Sequence, residues 1–374
     1  MRVGFISLGC SKNLVDTEMA IGAFKGNNFK VVNSPEEAEV LVINTCGFIE
    51  SAKQEAIDTI LEMAEYKENG ICKYLIVMGC LVKRYIKELE KEMPEVDLFI
   101  MPDEYSNYWE KIQELIREDG NNNNDESLSI RERRPYELDY QNRVVTTGGR
   151  TAYLKIAEGC SNRCTYCAIP YIRGPYVSRK MEDILKEAKG LAKNGFKEII
   201  VIAQDTTKYG VDIYGEPKLA ELLQELCNIK EFEWIRFLYA YPESITDELI
   251  DTVKRNEKIC KYFDIPVQHI SNKILKLMNR PIGEKDKNDL DSPNQNIQDL
   301  IKKLKTKIPD VILRTSLIVG FPGEEEEDFN MLYSFVEQAK FDKIRSIYIL
   351  KRRRNTGSKA KESHTSVYKE KKIQ

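Results

Sequence analysis

The sequence predicts an α/β protein in two parts: a flavodoxin-like parallel-sheet domain, then a partial, six-stranded TIM-type barrel. Three observations predict it. Short apolar runs alternate with helical patterns along most of the 374 residues, which implies parallel strands with helices covering the sheet faces. The alternation breaks once, between residues 116 and 140, where hydrophobicity drops and an Asn tract appears. Beyond the break the repeats lengthen into six strand–helix units, the pattern of a barrel that carries function at the C-terminal ends of its strands. The expected division is therefore an N-terminal domain at 1–116, a linker with an Asn-rich insertion at 117–142, a barrel domain at 143–350 and a basic, disordered tail at 351–374.

In the first domain, residues 3–8 read as a buried strand, 14–24 as an amphipathic helix and 40–43 as a strand. Residues 51–66 read as a helix, 74–78 as a strand and 95–101 as the closing strand. Cys10, Cys46 and Cys80 follow the first three strands in turn. Open α/β sheets hold ligands at the carboxyl ends of their strands, so the three thiols are expected to converge. A glycine adjoins each, in Gly9-Cys10, Cys46-Gly47 and Gly79-Cys80, and relieves crowding at a tight turn. The competing reading, three unrelated core cysteines, has to explain the same placement three times running.

In the second domain, strands are expected at 152–157, 198–203, 234–240, 262–266, 311–319 and 343–349. Helices are expected at 181–194, 219–228, 246–255, 272–278, 297–306 and 325–338, with Gly195 as a helix stop, Thr246 as an N-cap and a polar loop at 283–296. Directly after the first strand, Cys160, Cys164 and Cys167 stand in the spacing C-x3-C-x2-C. A loop this tight can wrap three thiolates around one cubic iron-sulfur cluster. Such clusters usually take four cysteines, so three leave one iron open to bind a small molecule and act on it.

Two alternatives compete. A structural zinc site closes with four Cys or His ligands, yet the chain has only His269 and His364, neither near in sequence. Disulfides suit secreted chains, and no secretory signal precedes these cysteines. The other strand ends carry Gln204-Asp205-Thr206-Thr207, Tyr241-Pro242-Glu243, Gln268-His269 and Gly320-Phe321-Pro322-Gly323-Glu324. Singly these are ordinary turn chemistry; together they read as the wall of one cofactor pocket, with His269 as a structural hydrogen-bonding residue.

Composition narrows the rest. The 57 basic and 60 acidic residues nearly cancel, so bulk charge makes no case for nucleic acid. No apolar run reaches the roughly 18 residues of a spanning helix, and the N-terminus lacks the regions of a signal peptide. The expected location is the cytoplasm, away from membrane. Of nine cysteines, six fall into the two sets of three, and Cys72, Cys227 and Cys260 read as small buried hydrophobes.

Glu158-Gly-Cys-Ser-Asn-Arg-Cys-Thr-Tyr-Cys167 with Ala168-Ile-Pro-Tyr-Ile-Arg-Gly174 resembles the signature of the radical S-adenosylmethionine (SAM) methylthiotransferases, and so does the two-cluster layout. Within that family Gly9-Cys-Ser-Lys-Asn-Leu-Val-Asp16, Asn44-Thr-Cys-Gly-Phe-Ile-Glu-Ser-Ala-Lys-Gln-Glu55, Ile202-Ala-Gln-Asp-Thr-Thr207 and Asp264-Ile-Pro-Val-Gln-His-Ile270 are similar to the RimO branch. The sister branch, MiaB, usually carries an Arg-Glu pair where this chain has Phe48-Ile49-Glu50.

The resemblance implies that Cys160, Cys164 and Cys167 hold the radical SAM 4Fe-4S cluster and that Cys10, Cys46 and Cys80 hold a second 4Fe-4S cluster. It implies SAM contacts from the backbone near Tyr166, from Gln204 and from Ile318 beside Gly320. The implied reaction methylthiolates the β-carbon of an aspartate in ribosomal protein S-twelve of the small ribosomal subunit. A 5′-deoxyadenosyl radical abstracts hydrogen, the second cluster presents a sulfur species, and another SAM supplies the methyl group. A monomer is expected, with an electron donor such as flavodoxin or ferredoxin. The competing functions are methylthiolation of a transfer RNA adenosine, as in MiaB, and a catalytically silent iron-sulfur scaffold.

The chain departs from the family near its end. The expected C-terminal TRAM β-barrel is missing before Gln374, and residues 351–374 hold nine Lys or Arg against two Glu. A reading-frame shift near Leu350 is the expected cause. The alternative is a tail that contacts ribosomal RNA through phosphate charge.

Overall fold

A computed structural model describes residues 1–118, 140, 142–283, 286, 289–350 and 367–371. The chain divides into two compact units: Met1–Thr146 together with Tyr171–Gly174, and Thr147–Pro170 together with Pro175–Gln374. The first unit contains β1 (Arg2–Ser7), α1 (Ser11–Gly26), β2 (Lys30–Val31), β3 (Val40–Thr45) and α2 (Glu50–Asn69), then β4 (Tyr74–Gly79), α3 (Cys80–Glu92), β5 (Leu98–Ile100) and α4 (Tyr108–Glu118). Its five strands are all parallel, in the order β2-β1-β3-β4-β5. This is the flavodoxin-like order, whose ligands sit at the switch point between the first and third strands.

Strand alternation divides the apolar residues between two faces. Leu41, Ile43, Leu75 and Val77 pack on one side against Ala56, Ile60 and Met63 of α2 and Leu81, Val82 and Leu89 of α3. Val40, Val42, Tyr74, Ile76 and Met78 pack on the other against Ala20 and Phe24 of α1 and Ile112 of α4. Phe24 meets Phe5, Phe29 and Trp109 edge to face, with ring centroids 5.0 to 5.4 Å apart.

The sequence reading missed β2, α3 and α4. The strand is only two residues long, whereas the helices do carry apolar residues at helical spacing, Leu81, Val82, Tyr85, Ile86 and Leu89 in α3 and Trp109, Ile112 and Ile116 in α4, a period that was legible and went unread. The amphipathic expectation for α1 also changes: Asn13, Asp16, Thr17 and Glu18 are buried with its apolar residues. They are buried because they hold neighbouring chain. Glu18 accepts from the Thr146 N–H at 2.7 Å, and its backbone carbonyl accepts from Val144 at 3.1 Å. Residues 142–146 accordingly belong to the first unit, which moves the boundary from the expected 142/143 to Thr146/Thr147. Most of the expected linker, 119–139 and 141, lies outside the described residues.

The second unit runs β6 (Thr151–Lys155), β7 (Ala157–Glu158), α5 (Ile169–Arg173, whose last three residues belong to the first unit), β8 (Val177–Ser178), α6 (Met181–Lys193), β9 (Glu198–Ile202), α7 (Val211–Tyr214), α8 (Leu219–Cys227) and β10 (Trp234–Phe237). It continues with α9 (Asp247–Arg255), β11 (Tyr262–Gln268), α10 (Asn272–Leu277), α11 (Gln295–Lys307), β12 (Ile312–Val319), α12 (Glu326–Ala339), β13 (Lys343–Leu350) and β14 (Val367–Lys371). Among the described residues six parallel strands follow one another as β6-β9-β10 and β11-β12-β13. The two groups meet through the parallel bridge Ile235–Ile259 and the Ala240 N–H on the Asp264 carbonyl. The partial six-stranded barrel is thus present. One face of its strands is apolar, with Leu154, Val201, Phe237, Phe263 and Leu313 buried. Glu198, Arg236, Asp264 and Arg314 alternate with them in sequence and pair across strands, at 3.1 Å for Arg236–Glu198 and 2.9 Å for Arg314–Asp264.

Thr246 caps α9 as expected, its hydroxyl accepting from the Leu249 N–H. The expected strand 152–157 is two strands. β7 leaves the parallel sheet and pairs antiparallel with β8, so the cysteine loop is carried on a short two-stranded ribbon. The segment expected as a disordered tail is corrected over Val367–Lys371, which pairs antiparallel with β13. Residues 351–366 and 372–374 lie outside the described residues. Cys72 is a core residue as expected, whereas Cys227 and Cys260 are only half-buried.

Candidate metal centres

In the first unit the three cysteines follow three neighbouring strands. Cys10 is the N-cap of α1, Cys46 follows β3, and Cys80 opens α3. Register brings the strand ends level: Ser7 lies opposite Asn44, and Asn44 opposite Met78. Two glycines make the approach possible. Gly9 has φ +90°, and a Cβ there would stand 2.6 Å from the Cβ of Cys46 and 3.1 Å from its Sγ. Gly79 has φ +110°, where a Cβ would meet the Asn44 Oδ1 and the Thr45 carbonyl at 2.5 Å. The left-handed region and the lack of space both require glycine.

Polar side chains of the same unit lock these loops. Asn13 donates to the Thr45 carbonyl at 2.8 Å and to the Leu8 carbonyl at 3.2 Å. Asn44 donates to the Asn13 carbonyl at 2.8 Å, and Thr45 to the Met78 carbonyl at 2.7 Å. Cys10 is exposed, while Cys46 and Cys80 are buried. Burial pushes the Cys46 thiol up. It pushes Cys80 up to about 11, against the opposing pull of Arg173. The Arg173 Nε–H donates to the Cys80 Sγ at 3.3 Å.

In the second unit Cys160, Cys164 and Cys167 occupy the loop after β7, as their spacing requires. Gly159 and Arg163 take positive φ, +69° and +50°, which curls the loop. Distant residues fasten it. The Asn162 Nδ2 donates to Asp205 at 2.9 Å, and Asn162 Oδ1 accepts from Lys208. The Thr165 N–H reaches the Met278 carbonyl at 3.1 Å, and Asn279 donates to the Arg163 carbonyl at 3.0 Å. Cys164 is buried with its Sγ 2.7 Å from the Tyr241 hydroxyl. The Arg280 guanidinium stacks 3.6 Å from the centroid of the Tyr241 ring and pairs with Glu243 at 3.2 Å. Burial pushes Cys160 up, and Cys167 up to about 12.

The remaining expected residues fall at the same strand edge of this unit. Gln204 follows β9, Ile318 lies in β12 and Gly320 follows it. Ile318 is buried within β12. The Tyr166 hydroxyl is pushed well up by burial and by its hydrogen bond with Cys164. His269 is buried, and its Nδ1 accepts from the Ser271 N–H at 3.0 Å, the structural role expected of it.

Residues 2–101 match the family model described as Uncharacterized protein family UPF0004, and residues 154–336 match the Radical SAM superfamily. The ribosomal protein uS12 methylthiotransferase RimO of Alkaliphilus oremlandii is 63% identical over 345 residues, covering 92% of this chain and 73% of that protein. The chain belongs to the RimO family. The RimO protein of Acetivibrio thermocellus is 52% identical, over 92% of this chain and 74% of its own. Among solved structures, the radical S-adenosylmethionine methyltransferase TsrM of Kitasatospora setae, with cobalamin and a [4Fe-4S] cluster bound, superposes with a TM-score of 0.65 at 13% identity. It covers 94% of this chain and 72% of its own. That likeness is one of fold.

Both sites fit soft, sulfur-ligated metal. Each offers thiols, and soft thiolate donors select iron-sulfur clusters, zinc or copper(I) over hard cations. Among the described residues no three His, Cys, Asp or Glu side chains are grouped as for a single ion. Ligands of a cubane attach to separate irons and stand wider than the shell of one ion. Cysteine spacing found the thiols but not the groups beside them. Nothing in the spacing singles out Arg173, Arg280 or the contact of Tyr241 with Cys164. The available signals were Arg173 within the quoted stretch 168–174 and Tyr241 at a strand end.

Proposed function

We propose that this chain methylthiolates the β-carbon of an aspartate in ribosomal protein uS12. The observation that carries the reading is the pair of three-cysteine sets, each one ligand short of a full cluster set, the first at the carboxyl edge of three parallel strands and the second on the loop after β7. With 4Fe-4S clusters and SAM bound, the two sites would supply a 5′-deoxyadenosyl radical for hydrogen abstraction, a sulfur for transfer and, from another SAM, a methyl group. Cys160, Cys164 and Cys167 would hold the cluster that binds SAM, and Cys10, Cys46 and Cys80 the other. Asn162, Asp205 and the 277–279 turn hold the first loop in shape. With a cluster on Cys164, the Tyr241 hydroxyl, whose pKa burial pushes up, would donate to the Cys164 sulfur. The backbone beside Tyr166, Gln204, Ile318 and Gly320 lines the SAM pocket. A flavodoxin or ferredoxin would deliver the electron, and the reaction would take place in the cytoplasm. The names of the relatives favour a uS12 substrate over a transfer RNA adenosine.

The test is anaerobic reconstitution followed by an iron count and a Mössbauer spectrum. The wild type is expected to hold about eight irons, falling to about four in Cys160→Ala and in Cys46→Ala. About four irons in the wild type, unchanged by Cys46→Ala, would overturn the two-cluster reading. Gain of sulfur plus methyl by a uS12 substrate, read by mass, checks the reaction.

A further inference from the structure

Arg173 lies within the first unit although it follows Cys167 by only six residues in the sequence. Its guanidinium has at least three partners. The Nη1 donates to Asp16 Oδ2 at 2.6 Å, the Nη2 to the Asn13 Oδ1, and the Nε to Cys80 Sγ at 3.3 Å. Both charged side chains are buried, Arg173 at 2% and Asp16 at 0% exposure. A planar guanidinium presents its donors in a fixed fork, so two anchors on α1 set where the third donor points. That donor points at the sulfur. Asn13 contributes twice, because its Oδ1 also lies 3.7 Å from the Cys80 Sγ and its Nδ2 pins the loop that carries Cys46. The Asp16–Arg173 pair is neutral as a whole and turns its positive end toward Cys80.

We infer that Arg173 is a positioning residue of the N-terminal cysteine set, fixing Cys80 and raising the reduction potential of the cluster that Cys80 ligates through an N–H···S bond. The inference rests on the reading of Cys10, Cys46 and Cys80 as cluster ligands. The physical ground is general: hydrogen bonds to ligand sulfurs and nearby positive charge stabilise the reduced, more negative cluster and raise its potential. The competing role is that of a mere counter-ion, present only because Asp16 is buried.

The test uses the full chain with Cys160, Cys164 and Cys167 all changed to alanine, so that only the N-terminal set can load. Iron content and the midpoint potential by EPR-monitored titration are read after anaerobic reconstitution. With Arg173 intact, about four irons are expected; if no cluster forms, the ligand reading fails and the inference falls with it. Arg173→Met is expected to lower the potential, the iron content or both. Because it strands a buried carboxylate, a second variant combines Asp16→Asn with Arg173→Met. The double variant is expected to recover melting temperature while its potential stays low, and Arg173→Lys is expected to fall between parent and Arg173→Met. Parental iron content and potential in the double variant would overturn the inference, leaving Arg173 as the partner of Asp16 alone.

Discussion

The two cysteine triads have the same number of thiols and opposite construction. Cys10, Cys46 and Cys80 are brought level by the register of β1, β3 and β4, so their geometry belongs to the sheet. Cys160, Cys164 and Cys167 lie within eight residues, so their geometry belongs to a loop, which the unit then fastens from outside through Asp205, Lys208, Met278 and Asn279. The difference teaches that ligand spacing and ligand support are separate designs. In the first unit the strands that set the spacing and the α1 helix packed on them also carry the supporting side chains Asn44, Thr45 and Asn13, so a backbone disturbance there disturbs both. In the second, support can be weakened while the spacing survives.

Gly9→Val gives the largest expected break between the two. Gly9 has φ +90° and no room for a Cβ against Cys46, and a β-branched residue at positive φ is a strained outlier. Strain of about 1–3 kcal/mol adds to a clash that displaces either Cys10 or Cys46. The expected outcome is loss of the N-terminal cluster, with about four irons retained on the loop set. Retention of about eight irons would show that the first triad tolerates a backbone shift and does not depend on the sheet for its geometry. Asp205→Ala is the milder, opposite experiment. It removes the acceptor that Asn162 and Thr207 share, at a cost of about 1–3 kcal/mol for the stranded donors. Amide exchange across residues 160–167 is expected to rise and loop-set iron to fall in part, with the N-terminal set full. Unchanged exchange would mean that the loop holds its shape unaided.

The sequence carried the parts that depend on periodicity and spacing. Alternation marked the strands that end at Cys10, Cys46 and Cys80, because buried parallel strands read as short apolar runs. The C-x3-C-x2-C spacing is local and was legible outright. Three kinds of feature were not. β2 is too short for periodicity to register. Asn13, Asp16 and Glu18 look like polar positions of a surface helix, and only tertiary contacts with Thr45, Arg173 and Thr146 explain their burial. Arg173 sits close in sequence to one triad and packs with the other. No rule of spacing anticipates such a placement, because Tyr171–Gly174 belongs to the first unit although the residues on either side of it belong to the second.

Tyr241→Phe sharpens the comparison with the smallest change. The ring still stacks on Arg280 at the same site, so packing and the cation–π contact are preserved and only the hydroxyl on Cys164 is lost. The expected stability loss is about 1 kcal/mol, readable by denaturation, with iron content unchanged at about eight. The potential of the loop-set cluster is expected to fall, because one O–H···S bond to a ligand sulfur disappears. That fall should be smaller than the one caused by removing Arg173 from the other triad. Charge-assisted hydrogen bonds are about twice as strong as neutral ones, and Tyr241 is a neutral donor while Arg173 is a cation. An equal or larger shift in Tyr241→Phe would reverse that ordering and make the tyrosine, with Arg280 behind it, the stronger electrostatic element of the two sites.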